Sequence, residues 1–383
     1  MEESSIRPHE TPRLAAAGYF VGLLTGVVVM GLLLVYVGYR AGGPDWLWRL
    51  DPWRDTVRVS PEVLSDLVAL HAVYSNTRTR IQSEEHNTIL VRPDPELGST
   101  LRPGARIAVH LLRTTKPLNV DPPLLQLRAD DQVPERVARY LEKETRLQYR
   151  YTVDEAGRRT TLPAVDAEQE ILLIGDSVVF GVGVDDESTL ASHLQRIFRS
   201  RYRAVNAGVG GYNGRQAAAM AERLSRDRSW AGLVYVACQN DFMKAADWKA
   251  ETDEVLGRLA ALRDRFDGNV VVVLHTYMEY TLYDFFLERG WSRDRIDRTD
   301  ALRAEIARSS EARGFGFIDW TDIVNEYLRT SRSVFAPFAL YADHCHLSPL
   351  GNRLLAESLA ATIGRRWRAD GRSPVVPGQG MSG

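Results

Sequence analysis

The second half of this 383-residue chain predicts a doubly wound α/β fold of the flavodoxin-like kind, a parallel sheet covered by helices on both faces. Two observations point there. After Ala167 short apolar runs alternate regularly with longer stretches of helical character. Within those stretches the apolar residues recur at three- and four-residue spacing, as a helix lying on a sheet requires. Alternating β and α units of this length build a parallel sheet, whose ligands bind outside the carboxyl ends of the strands.

The strands are expected at Glu170–Ile174, Ala204–Asn206, Leu233–Cys238, Val270–His275 and Gly316–Ile318. Leu190, Leu194, Ile197 and Phe198 share one helical face, and Ala217, Met220, Ala221 and Leu224 share another. Leu350, Leu354, Leu355, Leu359 and Ile363 do the same near the end. This domain is read as residues 167–370, followed by a Gly/Pro/Ser tail, 371–383, expected to be disordered.

Upstream, residues 60–166 read as a small mixed α/β module. Ser60-Pro61 suits a helix N-cap and first turn, with Leu64, Leu67, Val68 and His71 behind it. Short runs (TILV, IAVHLL, LLQL, YRYTV) between Pro and Gly then read as strands, with one helix from Pro134 to Leu147.

Residues 14–39 carry no charge between Arg13 and Arg40, and a helix of that length exceeds the hydrocarbon core of about 30 Å. The acidic leader, residues 1–13, does not fit a cleaved signal peptide. A single-pass, uncleaved anchor is expected, with a Trp-rich linker, 40–59, at headgroup level. Gly18, Gly22 and Gly26 give two GxxxG spacings that permit weak self-association of that helix. Arginines flank it as Arg7 and Arg13 on one side and Arg40, Arg49, Arg54 and Arg58 on the other. That count leans toward a cytoplasmic body.

Composition sets limits. Lys and Arg number 48 against 50 Asp and Glu, so charge offers no case for a nucleic-acid partner. Two cysteines, Cys238 and Cys345, are too few for a disulfide scaffold or a zinc cluster, and strand parity leaves their directions open. His344, Cys345 and His346 cannot readily surround one ion from three consecutive positions, so no metal is expected. A phosphate loop is excluded too, because NAGVGGYNG lacks both GK[ST] and the GxGxxG spacing.

The chemistry lies at the strand ends. Gly175-Asp176-Ser177 follows the first strand, and a serine just past a buried strand is placed as a nucleophile. Gly208, Gly210 and Gly211 follow the second strand and let backbone N–H groups turn outward. Gln239-Asn240-Asp241 follows the third and adds an amide donor. Asp343 and His346 precede the last helix, a carboxylate three residues before an imidazole. Serine, histidine, aspartate and amide donors are the parts of acyl-transfer catalysis.

Taken in order, these blocks resemble the SGNH (GDSL-like) hydrolases over about Glu170 to Trp367. Gly175-Asp176-Ser177, Gly211, Asn240-Asp241 and Asp343 with His346 stand for the family's four motifs. Val178 and Cys238 depart from its usual leucine and glycine. The stretches DPELGSTLRPG and YTVDEAGRR are similar to the lead-in of some envelope-associated members. The resemblance implies Ser177 as nucleophile, His346 as general base and later acid, and Asp343 as the residue orienting the imidazole. The oxyanion hole would combine the Ser177 and Gly211 N–H groups with the Asn240 amide, with no cofactor.

The protein expected from this resemblance is a membrane-anchored serine esterase removing an acyl group, taken as acetyl, from a carbohydrate or cell-envelope polymer. The resemblance favours an extracytoplasmic body, against the arginine count. Transfer of the acyl group to another hydroxyl, a lipase or lysophospholipase, and a catalytically silent polysaccharide-binding module are the alternatives.

Overall fold

A computed structural model of the chain describes residues 28–30, 89–117, 125–127, 135–138, 141–243, 246–281, 293–331, 339–343 and 345–369. The chain divides into two compact units, Met1–Thr56 and Val57–Gly383. In the first, Val28, Val29 and Met30 are described, helical and exposed. The remainder of the expected anchor 14–39, the linker 40–59, the helix begun at Ser60 and the tail 371–383 lie outside the described residues. Among the described residues no helix is long and apolar enough to cross a membrane.

The second unit opens with a hairpin of β1 (Val91–Asp94) and β2 (Gly98–Leu101), paired antiparallel. Asp94 closes its turn, Oδ1 accepting the amides of Glu96 and Leu97 at 3.0 and 2.9 Å. A second sheet comes next, β3 (Arg106–Pro117) flanked by β4 (Leu125–Leu127) and β5 (Leu141–Thr152). The helix expected over Pro134 to Leu147 is confined to Glu135–Ala138, and from Leu141 the chain is strand. The helix-forming residues Leu141-Glu142-Lys143-Glu144 are each worth only tenths of a kcal/mol in propensity. Antiparallel pairing with β3, from Arg106↔Thr152 to Pro117↔Leu141, overrides that preference.

The main sheet holds β6 (Glu170–Gly175), β7 (Arg203–Asn206), β8 (Gly232–Cys238), β9 (Val270–His275) and β10 (Gly316–Asp319). All pairings are parallel, in the order β10-β9-β8-β6-β7. This is the flavodoxin-like order, and its direction reverses between β6 and β8, where such sheets hold their ligands. The expected strands are present, each within a residue of its expected start and end.

β6, β8 and β9 are buried along their whole length because both faces are covered. Ile171, Leu173, Val234, Val236, Val271 and Val273 point to one face, toward the helices Leu190–Phe198 and Pro349–Ala369. Leu172, Ile174, Leu233, Tyr235, Val270 and Val272 point to the other, toward Gly214–Leu224 and Trp248–Ala261. Leu90, Leu97 and Leu101 of the hairpin and Tyr149, Tyr151 and Val153 around β5 join this second core. The lead-in is therefore part of the same hydrophobic interior as the sheet.

Candidate active site

The β6 strand ends in a turn that only glycine can make. At Gly175 φ is +153°, and a Cβ there would meet Val179 Cγ2 at 2.6 Å and the Val236 carbonyl at 2.8 Å. Asp176 then caps the single helical turn Ser177–Phe180, its carboxylate accepting the Val178 amide at 2.9 Å. Val178, Val179 and Phe180 are buried, so the turn is anchored from below while Ser177 stays half-buried at the sheet edge.

Arg159, from the stretch YTVDEAGRR, reinforces this turn. Its guanidinium lies over the rings of Tyr151 and Phe180 at 4.4 and 4.6 Å and pairs with Asp186 at 2.8 Å. Nη2 also donates to the carbonyls of Arg150 and Val184. A fully buried cation held by a carboxylate, two carbonyls and two rings joins the lead-in to the segment after Ser177.

Asp343 and His346 sit on a tight loop before the last helix. Tyr341 and Leu347 form a bridge across it, and the Ala342 amide donates to the His346 carbonyl at 2.7 Å. The Tyr341 hydroxyl donates to the Thr276 carbonyl at 3.0 Å and accepts from Trp320 Nε1 at 2.8 Å, which ties the loop to the end of β9. Asp343 is buried, and Oδ1 accepts the amides of Cys345 and His346 at 3.0 and 2.8 Å. That leaves Oδ2 to accept from His346 Nδ1 at 2.7 Å. His346 Nε2 lies 2.8 Å from Ser177 Oγ, across 169 residues of sequence. With the proton on Nδ1, facing a carboxylate, Nε2 presents its lone pair to the serine hydroxyl.

The other expected site residues stand on neighbouring strand ends. Gly211 comes after β7, exposed, at φ +84° with open space where a side chain would be. Its loop is tied back to β6 by the Val209 amide, which donates to the Gly175 carbonyl at 3.2 Å. Gln239, Asn240 and Asp241 begin the short helix after β8. Gln239 Oε1 accepts the Tyr277 amide, and Asp241 Oδ2 accepts from the Tyr235 hydroxyl and the Cys238 amide. Asn240 Oδ1 is buried with no hydrogen-bond partner among the described residues.

Behind the serine lies a group of buried ionisable side chains whose proximity the motifs alone do not reveal. Burial raises the pKa of Asp176. Burial and then the Asp176 carboxylate raise that of Asp241 well above the usual range, which favours its neutral form. His275, paired in register with Cys238, is fully buried, and burial followed by His346 pushes it down to about 3. His275 is thus a neutral imidazole at physiological pH, with Nδ1 3.7 Å from Cys238 Sγ. No sequence signal marks it, since it reads as the last residue of an apolar strand.

Neither Cys238 nor Cys345 is in a disulfide. Asp343, Cys345 and His346 bring ligand atoms within 4.8 Å of one another. Their arrangement does not suit a metal ion. Cys345 Sγ is 3.5 Å from Nδ1 and 3.8 Å from Nε2, and a sulfur so nearly equidistant from both nitrogens lies over the ring face, off either lone-pair axis. Both carboxylate oxygens are also engaged. His344 and the aromatic-rich segments 282–292 and 332–338 lie outside the described residues. A separate cavity of about 280 Å³ flanks β7, lined by Arg158, Arg159, Arg203 and Asn206 among others and by no member of the Ser177–His346–Asp343 chain.

A buried carboxylate, an imidazole and a half-buried serine stand in hydrogen-bond sequence at the carboxyl edge of this α/β sheet, the arrangement that serine-dependent acyl transfer uses. Residues 173–354 match the GDSL-like Lipase/Acylhydrolase family. The chain carries that family's domain and is an ester-hydrolysing enzyme. No curated protein matches the sequence. Among solved structures, the acetylxylan esterase Axe2 from Geobacillus stearothermophilus is similar at 21% identity and a TM-score of 0.38, over 52% of this chain and 95% of that one. LAE5, an α/β hydrolase from the metagenome of Lake Arreo, is similar at 19% identity and a TM-score of 0.41, over 52% and 96%. TesA is similar at 16% identity and a TM-score of 0.40, over 51% and 99%.

Proposed function

We propose that the chain is a serine esterase that removes a short acyl group, acetyl, from a carbohydrate or cell-envelope polymer through an acyl-enzyme on Ser177. The observation that carries this reading is the unbroken hydrogen-bond chain Ser177–His346–Asp343. His346 Nε2 takes the hydroxyl proton as Oγ attacks the ester carbonyl, and returns it to the leaving alcohol as the tetrahedral state collapses. Water, deprotonated by the same nitrogen, then releases the acyl group. Asp343 holds the ring and stabilises the imidazolium that forms in each half.

The short acyl group is what the family resemblance implies, and the loop after β7 packs tightly on the inner side of the Ser177 turn. A Cβ at Gly208 would meet the Phe180 amide at 2.4 Å and Val179 Cβ at 2.7 Å, so only glycine lets this loop pack directly on the turn. The turn is packed from below by Val178, Val179 and Phe180, so in this reading the ester reaches Ser177 from its exposed side, as a substituent on a polymer strand can. A panel of p-nitrophenyl esters tests this reading, together with acetate release from acetylated polysaccharides. kcat/KM should be highest for acetate and fall about tenfold or more once several methylenes are added. A rise with chain length would favour a lipase or lysophospholipase instead.

Asn240 supplies a second check. Charge grows on the carbonyl oxygen only as the tetrahedral state forms, so a donor aimed at it acts on the transition state. Asn240→Ala should lower kcat by about 10²–10³ with KM little changed. The melting temperature should hold, because no described residue relies on the Asn240 carboxamide oxygen. A variant with kcat within a few-fold of wild type would remove Asn240 from the oxyanion hole.

A further inference from the structure

The hairpin β1–β2 holds Asp94 to Leu101 of DPELGSTLRPG, a stretch to which the reaction itself assigns no part. It lies along the helix Gly214–Leu224, whose N-terminal loop carries Gly211. Three tiers of contact join them. At the loop, the Tyr212 hydroxyl donates to the Ser99 carbonyl at 2.6 Å. One turn into the helix, Gln216 Nε2 donates to the Leu97 carbonyl at 2.8 Å, while its Oε1 accepts the Asn213 amide at 3.1 Å. At the far end, Arg223 holds Asp94 at 2.6 Å and Glu96 at 2.9 Å, and Arg226 pairs with Glu96.

Tyr212 and Gln216 flank the loop differently from the rest. Tyr212 stands directly after Gly211, is buried, and turns its own amide back to the Val209 carbonyl at 3.2 Å. Burial, then Asp94, pushes its phenol up, so the hydroxyl keeps its proton and remains a donor. Gln216 completes the capping box with Asn213, and so links the first helical turn to the hairpin. With Val209 fixed to Gly175 on one side and Tyr212 fixed to Ser99 on the other, Gly211 is held between two anchors.

We propose that the hairpin Val91–Leu101 is a brace for the oxyanion loop, with Tyr212 and Gln216 as positioning residues that set the Gly211 amide against Ser177. This rests on the proposed esterase reading, in which that amide receives the developing oxyanion. An ångström of drift in such a donor is enough to cost much of its effect, without altering ground-state binding.

The test uses the full chain. Tyr212→Phe removes the hydroxyl and keeps the ring, and Gln216→Glu removes the donor to Leu97 while keeping the capping acceptor. Each should lower kcat about tenfold with KM within twofold. Amide hydrogen exchange over residues 208–213 should be faster than in wild type. Arg226→Ala breaks only the outer ion pair and should leave kcat unchanged. If both variants keep wild-type kcat and wild-type exchange, the brace is overturned. If KM rises with kcat unchanged, the hairpin serves substrate binding and the positioning role is lost. An inactive, unlabelled wild type would instead defeat the esterase reading, and the exchange comparison would still decide whether the hairpin braces the loop.

Discussion

Ser177→Ala should abolish labelling by a fluorophosphonate probe and lower kcat by about 10⁵–10⁶, the scale seen when a nucleophile of this kind is removed. The probe phosphonylates only a serine whose proton has somewhere to go, and Nε2 at 2.8 Å is that acceptor. Folding should be unaffected. Ser177 is half-buried and its turn is held by Asp176, Val178, Val179 and Phe180 rather than by the hydroxyl. The alanine variant should therefore melt near wild type while binding substrate normally. Labelling that persists in Ser177→Ala would move the nucleophile elsewhere. An unlabelled, well-folded wild type would favour a silent binding module built on the same fold.

The sheet and the reacting groups are legible in the sequence because both depend on local pattern. Apolar runs such as GLVYVAC and VVVVLH are buried on both faces, as strands of a covered parallel sheet are, and so stand out from the helical stretches around them. Ser177, His346 and Asp343 fall at strand or loop ends, where topology alone gathers them. The stretch from Leu141 reads as helix because its partner, β3, lies some 30 residues earlier and pairing carries no local mark. The same reason hides the contacts Tyr212 to Ser99 and Arg159 to Phe180, which join positions far apart. The two lead-in stretches stand out as motifs, but only packing shows that one lies under the Ser177 turn and the other beside the Gly211 loop.

Asp176, Asp241 and His275 extend that point. Three ionisable groups behind a nucleophile would ordinarily be costly, since each buried charge disfavours itself. Here burial resolves the conflict by neutralising two of them: Asp241 is shifted toward the acid and His275 toward the free base. The negative charge left nearest the imidazole is then that of Asp343, which has three donors to satisfy it.

Those three donors make Asp343→Asn the sharper test of the triad. In the wild type Oδ1 is claimed by two backbone amides, Cys345 and His346, while Oδ2 faces the ring. An asparagine must keep its oxygen on the two amides, because turning it round would set an NH₂ against two N–H donors. Its NH₂ then occupies the Oδ2 position and donates to Nδ1, which forces the proton onto Nε2. A protonated Nε2 donates to Ser177 Oγ and can no longer take its proton. Geometry and stability should be nearly intact, yet kcat should fall about 10⁴ near neutral pH, as expected of a wrong tautomer. Activity should recover partly at high pH, where hydroxide can deprotonate the serine without the ring. Asp343→Ala should behave differently: the two amides lose their acceptor, a cost of about 1–3 kcal/mol each for a buried unpaired donor, and the melting temperature should drop. If Asp343→Asn retained activity within tenfold of wild type, the imidazole would not depend on Oδ2 for its tautomer, and Asp343 would be a loop-closing residue alone.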